Sequence, residues 1–261
     1  MAFAARMTQA LRHNWRHYLV EASGIAAFLT FSSVAAVLCH HPVSALTQWL
    51  GPREWVQRVG VGLVLGALIV AMSYSPWGKR SGAHFNPAVT LGFWQLGHIG
   101  TADALWYALA QFAGGLVAGV GLHRALAPWF GHPSIHHNTT QPLAGAHGWA
   151  VALGAEIVIS SLLMLGLLWT MHSARGKQWT GALAGLLLAV FVVVEAPLSG
   201  MSLNPARTLG SAVAAGEAPH LWLYFVGPLG AMWATAEAYR RYRQRRPPAA
   251  RPPQFPDATA A

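Results

Sequence analysis

The stretch "FNPAVTLG", residues 85–92, returns as "LNPARTLG", residues 203–210, with arginine where the first copy carries valine. The two asparagines, Asn86 and Asn204, stand 118 residues apart in a chain of 261. That separation exceeds the period of about 20–50 residues typical of solenoid repeats and fits a duplicated half. Each copy has the chemistry of a helix start. Asn is a favoured N-cap, and Pro is favoured at the first helical position because its missing N–H would find no intrahelical partner anyway.

The composition says where such helices lie. Hydrophobic residues make up 54% of the chain and charged residues 10%, against roughly a quarter charged in a soluble domain. Apolar runs such as "YLVEASGIAAFLTFSSVAAVL" and "VALGAEIVISSLLMLGLLWT" are long enough to cross a hydrocarbon core of about 30 Å. Six spans are predicted, near residues 18–39, 58–74, 102–126, 149–171, 180–195 and 220–239. The first is too long for the core of a cleavable signal peptide.

The formal charge of +9 invites a nucleic-acid reading, but the placement of the basic residues argues against it. Arg6, Arg12 and Arg16 precede the first span, Lys79 and Arg80 follow the second, and Arg175 and Lys177 follow the fourth. Arg240, Arg241, Arg243, Arg245, Arg246 and Arg251 follow the last. With six alternating spans all of these share one face, which the positive-inside rule assigns to the cytoplasm with both termini. Arg53, Arg58 and Arg124 fall to the other face, and Arg207 is the cation that topology leaves unexplained. Residues 1–17 read as a basic N-terminal segment and 240–261 as a basic, Pro-rich, disordered tail. The single cysteine, Cys39, excludes an internal disulfide and reads as packing.

Each half holds three spans and one octapeptide. Three is odd, so the second half enters the membrane inverted, which makes the chain an inverted repeat with halves near 18–126 and 149–239. Gly62 and Gly66 in the second span match Gly181 and Gly185 in the fifth as small-xxx-small pairs that let helices approach. The octapeptides lie outside the spans and are too short to cross. A helix that begins at Asn-Pro after an irregular, Gly-containing approach fits a half-helix that enters the protein and stops midway, and non-helical backbone at that depth survives only when buried in protein or lining a wet cavity.

With its doubled motif, "SGAHFNPAVT" and "GMSLNPARTLG", and with Glu21 and Glu156 each in the first span of its half, the chain resembles the aquaporin and aquaglyceroporin family over residues 18–239. The resemblance implies an all-α membrane protein of six transmembrane helices plus two re-entrant half-helices, a passive pore for water and other small uncharged solutes, and a homotetramer with one pore per subunit. It implies a pore midplane of Asn86, Pro87, Ala88, Asn204, Pro205 and Ala206, with the two amides donating to a passing oxygen. Two helix N-termini of roughly +0.5 charge each oppose a cation there. Carbonyls of Gly82, Ala83 and His84, and of Gly200, Met201 and Ser202, form the acceptor ladder. Arg207 belongs to the narrowest filter, and counting along the motifs places Val192, Met201 and Leu65 beside it. Val89, the counterpart of Arg207, becomes a packed position outside the filter.

That ring is more apolar than a strict water filter. Pulling the other way, glycerol facilitators typically carry Asp directly after the filter Arg and a basic residue four positions on, where this chain has Thr208 and Ala212. In span six, bulky Tyr224 and Phe225 stand where glycerol-conducting members tend to have Pro and an aliphatic residue. The reading adopted is a water channel, with a glycerol or metalloid facilitator of the same fold as the alternative.

Glu21 and Glu156 have two readings, proton carriers or braces for the half-helix loops; the resemblance favours bracing. A proton-coupled transporter would also use Glu195, for which a loop brace, a partner orienting Arg207 and a solvated residue at the mouth are all open. His132, His136 and His137 crowd one loop without Cys or carboxylate and read as solvated rather than metal-binding. Asn138 opens an Asn-Thr-Thr sequon. No Ser-His, metal-His or aspartyl pair has workable spacing for an enzyme, and no cofactor, metal or nucleic-acid partner is expected.

Overall fold

A computed structural model describes residues 2–245. Arg246 and Arg251, and with them most of the segment read as a disordered tail, lie outside the described residues. Among the described residues, six long helices cross the molecule: α1 (Ala2–His40), α3 (Glu54–Tyr74), α6 (Thr101–Ala125), α8 (Gly148–Met171), α9 (Thr180–Val194) and α12 (Leu223–Gln244). Short helices α2 (Ala45–Leu50), α4 (Pro76–Ser81), α7 (Ala127–Phe130) and α10 (Ala196–Ser199) occupy connections. The octapeptides form α5 (Pro87–Gln95) and α11 (Pro205–Ala215).

Among the described residues, five segments are long and apolar enough to span a bilayer by themselves. The sixth helix, α12, has 22 residues and ends in a basic run, which lowers its apolar character without shortening it. The expected spans therefore stand, with two changes of length. The first helix starts at Ala2, and its 39 residues rise about 58 Å, so its basic end projects well past a 30 Å core. The last continues to Gln244, so Arg240–Gln244 is helix where a disordered tail was expected. The ion pairs from Glu237 to Arg240 at 2.9 Å and to Arg241 at 2.6 Å, at helical spacings of three and four, support that extra turn.

The inverted repeat is visible in the packing. α1 lies along α6, α3 along α9 and α8 along α12, while α5 packs against α12 and α11 against α6, so each half-helix leans on the last long helix of the other half. The α3–α9 contact uses the predicted glycines. A β-carbon on Gly66 would stand 2.7 Å from the Gly185 carbonyl oxygen, and one on Gly185 would stand 2.5 Å from that of Gly66. Only Gly permits that approach, as small residues do wherever helices meet closely in lipid. Large apolar side chains such as Leu63, Val117, Trp169 and Leu186 point outward, as a lipid-facing surface requires.

Candidate functional site

Both half-helices start as expected. Asn86 and Asn204 occupy N-caps in extended conformation, with Asn86 Oδ1 accepting from Ala88 N and Asn204 Oδ1 from Ala206 N and Arg207 N. The 9 and 11 residues of α5 and α11 correspond to about 14 and 16 Å of rise, so two in line equal one bilayer core. Their starts are tied together. Asn86 Nδ2 donates to Leu203 O at 2.8 Å and Asn204 Nδ2 donates to Phe85 O at 2.8 Å.

The approach loops repeat each other residue for residue. Gly82 and Gly200 are left-handed at φ 85° and 83°, Ala83 and Met201 at 55° and 50°, and Phe85 and Leu203 at 48° and 55°. Non-Gly residues avoid this region, and here buried carboxylates hold them in it. Glu21 accepts from His84 N at 3.1 Å, from Phe85 N, and from Gln111 Nε2 at 2.7 Å. Glu156 accepts from Ser199 Oγ at 2.6 Å, Ser202 N at 2.7 Å and Leu203 N at 2.9 Å. Tyr107 donates to Ser81 O and Tyr224 to Ser199 O. Each carboxylate thus takes up the amides of two consecutive loop residues.

Two cavities enter from opposite faces. One, of about 620 Å³, opens on the basic face beside Lys79 and Lys177 and reaches Gly82, Ala83, His84, Asn86, Val89, Ser202 and Asn204. The other, of about 500 Å³, opens beside Glu54 and Arg58 and reaches Leu65, Val192, Gly200, Met201 and Arg207. All four predicted filter residues therefore border one space. Phe28 borders both cavities.

Several expectations change. Pro87, Ala88, Pro205 and Ala206 border neither cavity; they build the first helical turns, and the wall at this depth comes from the two asparagines. Ser202 borders the basic-side cavity rather than the filter side, since the chain from Gly200 to Asn204 descends between the two spaces. Val89 is not purely packed, because it borders the basic-side cavity as Arg207 borders the other. Tyr224 and Phe225 narrow neither space: Tyr224 is spent on the Ser199 carbonyl, and Phe225 stacks on Phe112 at 5.9 Å. Glu195 is 3% exposed, so it is not a solvated mouth residue, and its carboxyl lies against Ser199 and the Met201 amide.

The loop histidines do not cluster. His132 pairs with His41 at 4.7 Å and His137 with His123 at 5.1 Å, and among the described residues no three potential ligands meet around a metal site. His84 lines the basic-side cavity while Nδ1 sits 3.1 Å from Thr90 Oγ1.

The family model for the major intrinsic protein, MIP, matches residues 8–238. The chain belongs to the major intrinsic protein family. Among curated members it is 37% identical over 203 residues to "Aquaporin NIP2-2" of Zea mays, covering 76% of this chain and 65% of that one. It is 36% identical over 220 residues to "Aquaporin NIP1-4" of Oryza sativa subsp. japonica, covering 83% and 73%. The matched region spans 57% to 73% of the lengths of such relatives. The X-ray structure of the aquaglyceroporin from Plasmodium falciparum superposes with a TM-score of 0.66 at 21% identity, covering 86% of this chain and 94% of that one, and shares the fold.

Sequence reasoning about this major intrinsic protein missed Gln111, Ser199 and Tyr107, which complete the braces, and Asn138, which contacts Arg207. Of these, Ser199 carried one available signal: it stands 118 residues from Ser81, the repeat offset. Asn138 carried none, since its partners are distant in sequence.

Proposed function

We propose that this chain is a passive channel that carries water, together with other small uncharged solutes, down their gradients and excludes protons and ions. It acts as a channel rather than an enzyme. The observation that carries this reading is the convergence of two cavities from opposite faces on the paired amides of Asn86 and Asn204, with the buried Arg207 on the approach. A pore must replace part of a molecule's hydration while holding it weakly. The second hydrogen of each amide and the loop carbonyls supply donors and acceptors for that exchange. The aquaporin names of its relatives agree.

The proton-coupled alternative loses its support. Glu21 and Glu156 are fully buried and tied to backbone amides, and neither they nor the buried Glu195 border a cavity. The glycerol or metalloid alternative keeps one specific observation: Leu65, Val192 and Met201 make three sides of the filter apolar, and Tyr224 and Phe225 do not narrow it.

We place the protein in the plasma (inner) membrane with both termini in the cytoplasm, because the basic residues gather on one face. The unit of assembly is a homotetramer, the channel domain spans residues 18–239, and basic segments flank it. Stopped-flow light scattering on proteoliposomes tests the reading. Fast shrinkage under an impermeant osmolyte with slow glycerol reswelling supports a water channel. Fast reswelling favours the facilitator, and neither response above empty liposomes ends the channel reading.

A further inference from the structure

The loop between α7 and α8 carries a conformation that local sequence does not explain. His136, His137 and Asn138 are all left-handed, at φ 45°, 54° and 54°. Consecutive left-handed residues other than Gly are held only where their surroundings over-determine them. Here the surroundings are α1 and α11. Asn138 Nδ2 donates to Ser32 Oγ at 2.8 Å and to Ser33 Oγ at 3.2 Å, which uses both amide hydrogens. Its Oδ1 accepts from Arg207 Nη2 at 3.3 Å. Two residues on, Thr140 Oγ1 meets Thr208 Oγ1 at 3.0 Å, next to Arg207 in the chain.

Among the described residues, Asn138 is the one side-chain hydrogen-bond partner of the Arg207 guanidinium, whose Nη1 is buried without a partner. A guanidinium is planar and rigid, so one fixed contact sets where its remaining donors point. Asn138 itself borders the same cavity as Leu65, Val192, Met201 and Arg207.

Resting on the channel reading above, we propose that Asn138 is a further selectivity residue, a positioning arm anchored on Ser32 and Ser33 that fixes the Arg207 guanidinium and so sets the bore of the filter. The three left-handed residues follow, since they bring a loop side chain between α1 and the filter. The sequon is thereby committed: its nitrogen has no free hydrogen in the folded chain.

The test compares glycerol and water permeability in proteoliposomes of full-length protein, normalised to one another. Asn138→Ala frees Arg207, which swings toward water, so the glycerol-to-water ratio rises on the order of tenfold, the equilibrium factor of one hydrogen bond to a charged group. Asn138→Asp keeps an acceptor at the same place, so the ratio stays near the parent's, while its negative charge offsets Arg207 and cation leak increases. The Ser32→Ala/Ser33→Ala double variant, mild in a helix, moves the ratio in the same direction as Asn138→Ala and serves if that variant folds poorly. A purely structural Asn138 would lower both permeabilities together. A conducting parent with an unchanged ratio in Asn138→Ala, or in the serine variant when the alanine fails to fold, overturns the arm alone. A parent that passes neither solute overturns the channel reading and the arm with it.

Discussion

Asn86 and Leu203 are joined by a 2.8 Å hydrogen bond from the side-chain amide of one to the carbonyl oxygen of the other, across the meeting point of the half-helices. The reciprocal bond from Asn204 to Phe85 makes the junction a closed pair. Each asparagine therefore does two things with one side chain, its Oδ1 capping a helix and one N–H locking the opposite loop, and the proposed channel would use the second N–H as a donor to a permeant molecule.

Asn86→Ala removes both, and the proposed donor with them. Loss of a cap costs about 1 kcal/mol, and leaving the buried Leu203 carbonyl unsatisfied adds about 1–3 kcal/mol. We expect a detergent-solubilised protein that melts several degrees lower, with water flux per folded channel also reduced. An unaltered melting temperature would remove the junction from the fold's stability.

Arg207→Val brings the second octapeptide to the pattern of the first. At about 10 Å and an effective dielectric constant of about 20, the lost unit charge contributed roughly 1.7 kcal/mol to the barrier against a cation. Proton and cation leak, read with an entrapped pH dye and by potassium-gradient flux, should rise on the order of tenfold. Undiminished ion exclusion would shift the barrier entirely to the helix N-termini. The contrast answers why the two copies differ at one residue. Val89 and Arg207 border opposite cavities, and of the two octapeptides only the second carries a charged side chain.

Glu156→Gln tests bracing against proton transport. Glutamine has one acceptor oxygen where the carboxylate has two, and its NH₂ would face an amide donor. With hydrogen bonds to a charged group worth about 1.5–3 kcal/mol each, folded yield should fall while flux per folded channel stays close to the parent's. Flux driven by a pH gradient in the parent and lost in the variant would restore the transporter.

The half-helix starts were legible because capping is local chemistry: Asn-Pro acts on the three residues that follow it. The spans and the Gly66–Gly185 approach were legible because lipid imposes length and small residues permit contact. The contacts from Gln111 to Glu21 and from Asn138 to Arg207 were not, since each joins residues 69 or more apart in sequence and nothing in either neighbourhood specifies the partner. Tyr224 shows the converse. Its bulk suggested a narrower pore, but its hydroxyl is committed to the Ser199 carbonyl, where side-chain size has no bearing on the bore.

His137 should make the loop that carries Asn138 sensitive to acid. Burial pushes its imidazole below the ordinary histidine value of 6.5, and His123, 5.1 Å away, lowers it further. Glu217 opposes the shift and His136 adds to it, while the Phe130 ring packs edge-on at 6.0 Å. A histidine depressed in the folded loop is neutral in both states above 6.5. Below that value the opened loop takes up a proton that the closed loop refuses, so closure weakens as pH falls from 6.5 to the lowered value and levels off beneath it. Amide hydrogen exchange at Asn138 and Thr139, corrected for the intrinsic pH effect, should therefore lose protection between pH 7.5 and 5.5. His137→Phe should flatten that dependence. Protection that stays constant in the parent, or a dependence that survives the substitution, would exclude His137 as its source.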